Sequence, residues 1–197
     1  PTKIFGAYGD GGFITTQNKK LYQKMNRQRF FGMERKNMSS GHWNGKYYAI
    51  EHGPNTCNSR LHEIQAAILN VKLPHLHHWI DKRKRIASIY DRELKDLLDL
   101  PKQAPHNEHA YYIYVVAHPK RDYIMKELVK KDIHLNISYP WPVHIMDGYE
   151  YLGYKKGDFP VTEKRAEEIF SLPMYPALEF KDQMKVITSL KEIIEKI

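Results

Sequence analysis

Residues 1–16 read PTKIFGAYGDGGFITT, and residues 57–73 read CNSRLHEIQAAILNVKL. In the first stretch Lys3 stands ahead of a glycine-rich run, Gly6 to Gly12, that leads into Phe13–Thr16, a short strand candidate. A P-loop places its lysine at the end of the glycines, as Gly-Lys-Ser/Thr opening a helix, so this order excludes one. The other chemical use of such a lysine is a Schiff base to a carbonyl cofactor, for which the amine must be partly deprotonated in a shielded site. Taken alone, Lys3 reads as a surface lysine. In the second stretch Leu61, Ile64, Ile68 and Val71 share one helical face. Asn58 or Ser59 would cap that helix, and a helix N-terminus can also bind an anion. Cys57 reads as a small packed residue.

Between these stretches, residues 18–31 predict a helix through Leu21, Met25 and Gln28/Arg29. Residues 32–58 show no sustained period and read as a long ordered loop. Beyond them, Pro74 breaks or kinks the helix. A second helix comes next, with Leu76, Trp79/Ile80, Arg83, Ile86, Tyr90, Leu94 and Leu97 inward. Its Lys82-Arg83-Lys84-Arg85 run reads as a solvated face rather than a nucleic-acid patch. Leu100 to Glu108, with Pro101 and Pro105, reads as a linker, dividing the chain into domains at 1–100 and 101–197. In the second part Ala110–Ala117 predicts a buried strand, and Asp122 an N-cap for a helix through Lys131. Ile133–Tyr139 is a further strand candidate and 161–170 a helix. A closing helix, Lys181–Lys196, turns Met184, Ile187, Leu190 and Ile194 inward. Strands alternating with helices indicate an α/β layer structure.

Composition narrows the function. The chain has 197 residues with 31 Lys+Arg and 23 Asp+Glu, a net charge of +8. Residues 1–58 carry nine basic and three acidic side chains, residues 59–100 eight and six, and residues 101–197 fourteen of each. A basic first third points to phosphate groups on a small ligand rather than to a nucleic-acid surface. The longest stretch without Asp, Glu, Lys or Arg, Ile133–Met146, holds two prolines, and a membrane span of about 20 mostly apolar residues does not fit there. One cysteine excludes an internal disulfide and suggests a reducing, cytoplasmic compartment. His75, His77 and His78 cluster without the further ligands zinc needs, so no metal is expected. The loop Tyr139-Pro140-Trp141-Pro142-Val143-His144 reads either as a packed loop or as a ligand-facing surface stiffened by its prolines.

The combination of PTKIFGAYGDGGFITT, CNSRLHEIQAAILNVKL, SYPWPVH, GYEYLGY and DFPVTEKRAEEIFSLPMYP, in that order, resembles the DegT/DnrJ/StrS sugar aminotransferases. The resemblance covers the whole chain and the C-terminal half of those proteins. It implies the α/β transferase fold type I of aspartate aminotransferase, with part of the large domain followed by the small one, and pyridoxal 5'-phosphate as cofactor. Lys3 matches the Schiff-base lysine, and Asn58 an asparagine that reaches the cofactor phosphate of the other subunit of a homodimer. Arg60, Tyr139 and His144 fall where relatives approach a nucleotide-sugar substrate. The NSRL form resembles the branch acting on 3-keto-6-deoxy sugars. His62 stands where Asp is usual, Pro74 where a polar residue is usual and Ser138 where His often precedes Tyr-Pro; Pro54–Cys57 looks like an insertion.

The resemblance implies amino transfer from an amino acid such as glutamate to the keto group of a nucleotide-linked deoxysugar, in amino-sugar or surface-polysaccharide biosynthesis. Sugar 3-dehydrases of the family replace the lysine by histidine, so Lys3 speaks against that activity. A non-catalytic regulator is the alternative from another class. In relatives the partner of the pyridine nitrogen, the ring-stacking residue and further phosphate donors precede the lysine. The chain is therefore expected to need a preceding segment or a separate chain to bind the cofactor.

Overall fold

The computed structural model describes residues 2–36 and 46–197. By contact it divides into two compact units, Pro1–Pro74 and His75–Ile197. The long second helix packs with the strands and helices C-terminal to it, so the expected domain division after Leu100 falls within the second unit. Residues 37–45, part of the expected long loop, lie outside the described residues.

The first unit begins with the glycine-rich run and then α1 (Lys19–Gln28). Asn18 caps α1, its Oδ1 accepting from the Leu21 N–H at 3.1 Å, which satisfies one of the free donors of the first turn. Phe13–Thr16 is not a strand: Phe13 and Ile14 are exposed and the segment joins no ladder among the described residues. The region read as a loop contains a hairpin, β1 (Met33–Lys36) and β2 (Lys46–Ala49), antiparallel with Met33 opposite Ala49. Gly32 makes its base possible. With φ +68° it turns its carbonyl toward the Ile50 N–H, and a Cβ there would collide with the Glu51 carbonyl oxygen. Arg27 joins α1 to the hairpin through Glu51 (2.9 Å) and Glu34 (2.6 Å). The last helix of the unit, α2 (Glu63–Lys72), starts four residues later than the apolar spacing from Ser59 implies. Neither Asn58 nor Ser59 caps it. His62 holds the N-cap position without a side-chain bond, and the Asn58 side-chain oxygen instead accepts from Arg60.

The second unit holds the core. Pro74 ends α2 in a short 3-10 turn, Leu73–His75, and α3 (Leu76–Leu94) buries Arg83, Ile86, Ala87, Tyr90 and Leu94. The expected strand narrows to β3 (Tyr114–Ala117), paired antiparallel with β4 (Ile169–Leu172), Tyr114 opposite Leu172. Helices α4 (Arg121–Val129), α5 (Pro160–Glu168) and α6 (Phe180–Ile194) complete it. Asp122 lies in the first turn of α4 rather than at its cap, where its charge still suits the helix dipole. Ile133–Tyr139 yields a single bridge, Asn136 to Ser171, rather than a strand. Strand β4 begins directly after α5, where the sequence pattern predicts the end of a helix. The core joins Tyr90, Leu94, Tyr114, Phe170, Ile187 and Leu190 between the β3–β4 pair and α3, α4 and α6.

Candidate cofactor and substrate site

Helix α2 holds the glycine-rich run. Gln65 Oε1 accepts from the Tyr8 N–H at 2.8 Å, and Lys72 Nζ donates to the Gly6 carbonyl. Gln65 and Lys72 stand seven residues apart, two turns along one face, so a single helix grips the run at two points. The approach is close. A Cβ on Gly9 would lie 3.2 Å from Gln65 Nε2, and one on Gly11 3.0 Å from Leu61 Cδ1. Glycine is what allows the backbone so near.

The facing wall is the turn 58–62, built onto the end of α1. The Cys57 N–H donates to the Gln28 carbonyl at 3.0 Å, the Phe31 N–H to Cys57 at 3.0 Å and the Ser59 N–H to Arg29 at 2.9 Å. These bonds fix Asn58, and Phe30 pairs with it as a bridge. The Arg60 guanidinium lies 4.5 Å over the Phe30 ring, a cation–π contact that restrains a long side chain. Arg60 Nε also donates to Asn58 Oδ1 at 3.1 Å. Both side chains are thus held by the turn before any ligand arrives.

Between the two walls is a cavity of about 510 Å³, within the size range of small-ligand sites. It is lined by the Gly9–Gly12 run, by residues 58–62 and by Gln65. Its donors are backbone N–H groups, the Asn58 amide, the Ser59 hydroxyl and the Arg60 guanidinium, a set that suits a phosphate. Asp10 adds one carboxylate to the lining. Lys3 is exposed, on a bend ahead of Gly6, and does not line this cavity. The sequence pattern singles out Asn58 and Arg60, which line the cavity, but not Gln65 and Phe30, which hold the glycine run and the guanidinium. The EIQAA run carried the only signal for Gln65; Phe30 left none.

Tyr139 and His144 belong to the second unit. Tyr139 is exposed. His144 is nearly enclosed, its Nε2 3.0 Å from Glu163 Oε1 and its ring edge-on to Phe159, 4.8 Å between centroids. The basic run on α3 is no continuous patch, since Arg83 is buried and Lys84 pairs with Glu108. His75 stacks on Trp79, and among the described residues no group of three or more His, Cys, Asp or Glu could hold a metal. Among them, too, no helix is long and apolar enough to cross a membrane.

An α/β chain of this architecture, with a lysine ahead of a glycine run and a phosphate-suited turn, defines a part of a fold-type-I pyridoxal-phosphate transferase. Residues 1–191 match the DegT/DnrJ/EryC1/StrS aminotransferase family, and the chain belongs to it. It is 45% identical over 98% of its length to a dTDP-3-amino-3,4,6-trideoxy-alpha-D-glucose transaminase of Micromonospora megalomicea, covering 50% of that protein. It is 39% identical to a pleiotropic regulatory protein of Geobacillus stearothermophilus, over 98% of this chain and 49% of that one. Among solved structures it superposes on Streptomyces venezuelae DesV, a complex with a ketimine intermediate, with a TM-score of 0.86 and 29% identity, over 100% of this chain and 50% of that one. The chain therefore spans about half the length of the curated relatives it matches. The family depends on pyridoxal phosphate. The donor set of the cavity fits the phosphate end of that cofactor, and Lys3 precedes the glycine run that lines it.

Proposed function

We propose that this chain contributes the catalytic lysine and part of the cofactor and substrate sites of an aminotransferase acting on a nucleotide-linked 6-deoxysugar. The amino group would come from an amino acid, glutamate by preference, and enter at a keto carbon, C3 of a dTDP-sugar by preference. The observation that carries this reading is one cavity joining the glycine run behind Lys3 to the Asn58–Arg60 turn, in a chain 45% identical to a dTDP-sugar transaminase.

Lys3 would hold the cofactor through its amine and, once displaced by the donor, move a proton to and from the carbon bearing the amino group. That role needs the neutral amine, so a shielded position in the assembled protein is part of the proposal. Bound pyridoxal phosphate supplies the electron sink, and the protein supplies orientation and electrostatics. Asn58 and Arg60, pre-held by the 58–62 turn, would bind phosphate oxygens. Arg60 would serve the substrate, and Asn58 the cofactor of the other subunit in a homodimer. Tyr139 and His144 would contact the nucleotide sugar. The chain's match to half of each relative supports a division of labour in which another segment or chain completes the cofactor site. In that longer fold residues 1–100 would belong to the large domain and 101–197 to the small one. A cytoplasmic place in amino-sugar or polysaccharide biosynthesis belongs to the same reading.

Lys3→Ala tests it. The visible absorbance band of the lysine-bound cofactor should vanish and amino transfer should fall by about a hundredfold or more; an unchanged band sinks the assignment. A regulatory role is the second reading, favoured by the 39% identity to a pleiotropic regulatory protein. Salt-dependent DNA binding in a mobility shift, without a cofactor band, would favour it.

A further inference from the structure

One carboxylate fastens the segment around His144. Glu163, in the first turn of α5, accepts from the Gly157 N–H with both oxygens, at 2.8 and 3.0 Å, and from the Phe159 N–H at 3.4 Å. Its Oε1 also lies 3.0 Å from His144 Nε2. Phe159 packs edge-on against the imidazole on one side and against Tyr154 on the other, 5.2 Å between ring centroids. The backbone donors and the imidazole hold the Glu163 carboxyl below the usual carboxylate range, against the opposing effect of its burial. At neutral pH it is ionised and can only accept. A carboxylate that only accepts requires the hydrogen to reside on Nε2. In the neutral ring the lone pair is then on Nδ1, which makes no hydrogen bond among the described residues.

We propose that Glu163 is a positioning residue: it locks His144 as the Nε2–H form and offers Nδ1 as an acceptor to a hydroxyl of the nucleotide sugar. This rests on the substrate role given to His144 above. The geometry favours a hydroxyl over a phosphate oxygen. A lone pair on Nδ1 repels an anion, and so does the Glu163 carboxylate on the far side of the ring. The arrangement parallels the way outer-shell acceptors fix the tautomer of histidines whose other nitrogen does the binding.

The test uses the whole cofactor-loaded protein with histidine labelled in nitrogen-15. With the ring neutral, the His144 signals, identified by their loss in His144→Gln, should show hydrogen on Nε2 and none on Nδ1. Hydrogen on Nδ1 overturns the proposal, and this readout needs no variant at position 163. Glu163→Gln should raise KM for the nucleotide sugar about tenfold, the loss of one oriented hydrogen bond, while KM for the amino-acid donor stays unchanged. Adding His144→Gln to it should raise KM no further. An unchanged KM, or an equal rise for both substrates, overturns the proposal. Absence of amino transfer by the unaltered protein overturns the functional reading and the substrate role of His144 with it; the nitrogen spectrum still reports, separately, whether Glu163 fixes the ring.

Discussion

At the scale of single residues, Arg83 decides more than its neighbours in the basic run. Its Nη1 donates to the carbonyls of Met174 (2.6 Å), Tyr111 and Tyr112 (3.0 Å each), tying α3 to the segments before β3 and after β4. Burial lowers its pKa, yet a guanidinium stays protonated in any protein setting. Arg83→Met keeps the apolar stem and removes the fork, leaving three carbonyls without their donor. We expect a loss of about 3 kcal/mol, read from the denaturation midpoint at unchanged m-value. Arg83→Lys should recover only part of it, because a shorter stem must bring its ammonium to the place Nη1 holds among the three carbonyls. The spacing of α3 put Arg83 both in the inward stripe and in the charged run. Burial follows the stripe, and only a tertiary partner such as the Met174 carbonyl could have settled which. Lys3, Asn58 and Arg60 stand out in the sequence for a different reason: the roles proposed for them are tied to short local motifs. The ring over which Arg60 lies, by contrast, is that of Phe30, thirty residues away, and no local pattern marks it.

Among the elements, helices with a long apolar period were readable and the strands mostly were not. Among the described residues each strand spans four, too short for alternation to register against helical spacing. The β1–β2 hairpin rests on Gly32 and on Arg27 bonded to Glu34 and Glu51, long-range contacts invisible to periodicity. On α6 the buried set includes Gln183 and Ser189 as well as Val186, Ile187, Leu190 and Ile193. Gln183 hides there because its Nε2 donates to the Ile86 carbonyl at 2.8 Å, so a hydropathy pattern places the face slightly off. The 153–163 segment gives an element-scale prediction. Glu163 has a lowered pKa in the folded protein, so its contribution is complete above the ordinary carboxylate pKa. It is lost as pH falls through the lowered value. The amide signals of Gly157 and Phe159 should therefore titrate together, with a midpoint below that of an exposed glutamate. In Glu163→Gln that shared titration should be absent, and independent midpoints for the two amides would refute the link.

At the scale of the whole molecule the two units differ sharply in what they bury. The second encloses Tyr90, Leu94, Tyr114, Ile124, Leu128, Ile187 and Leu190 almost completely. Among the described residues of the first, the buried ones are Gly6, Ala7 and Gly32, while Phe13, Ile14, Ile64 and Val71 stand more than two-thirds exposed. Burying a large aliphatic side chain contributes about 1.5–3 kcal/mol, and fixing each residue's backbone costs about 1–2 kcal/mol. The first unit of this 197-residue chain thus has little to offset its own ordering and should open without the second. Hydrogen exchange on the chain checks this. Amides of α3, β3, β4 and α6 should be protected at least about a hundredfold more than those of α1 and α2, a gap of about 2.7 kcal/mol. Leu190→Ala should remove about 2–5 kcal/mol from the second unit and narrow that gap without altering exchange in α1. Equal protection of α1 and α6 would mean that the first unit draws stability from contacts other than its own buried side chains. A drop in α1 protection on Leu190→Ala would mean that the two units open together rather than separately.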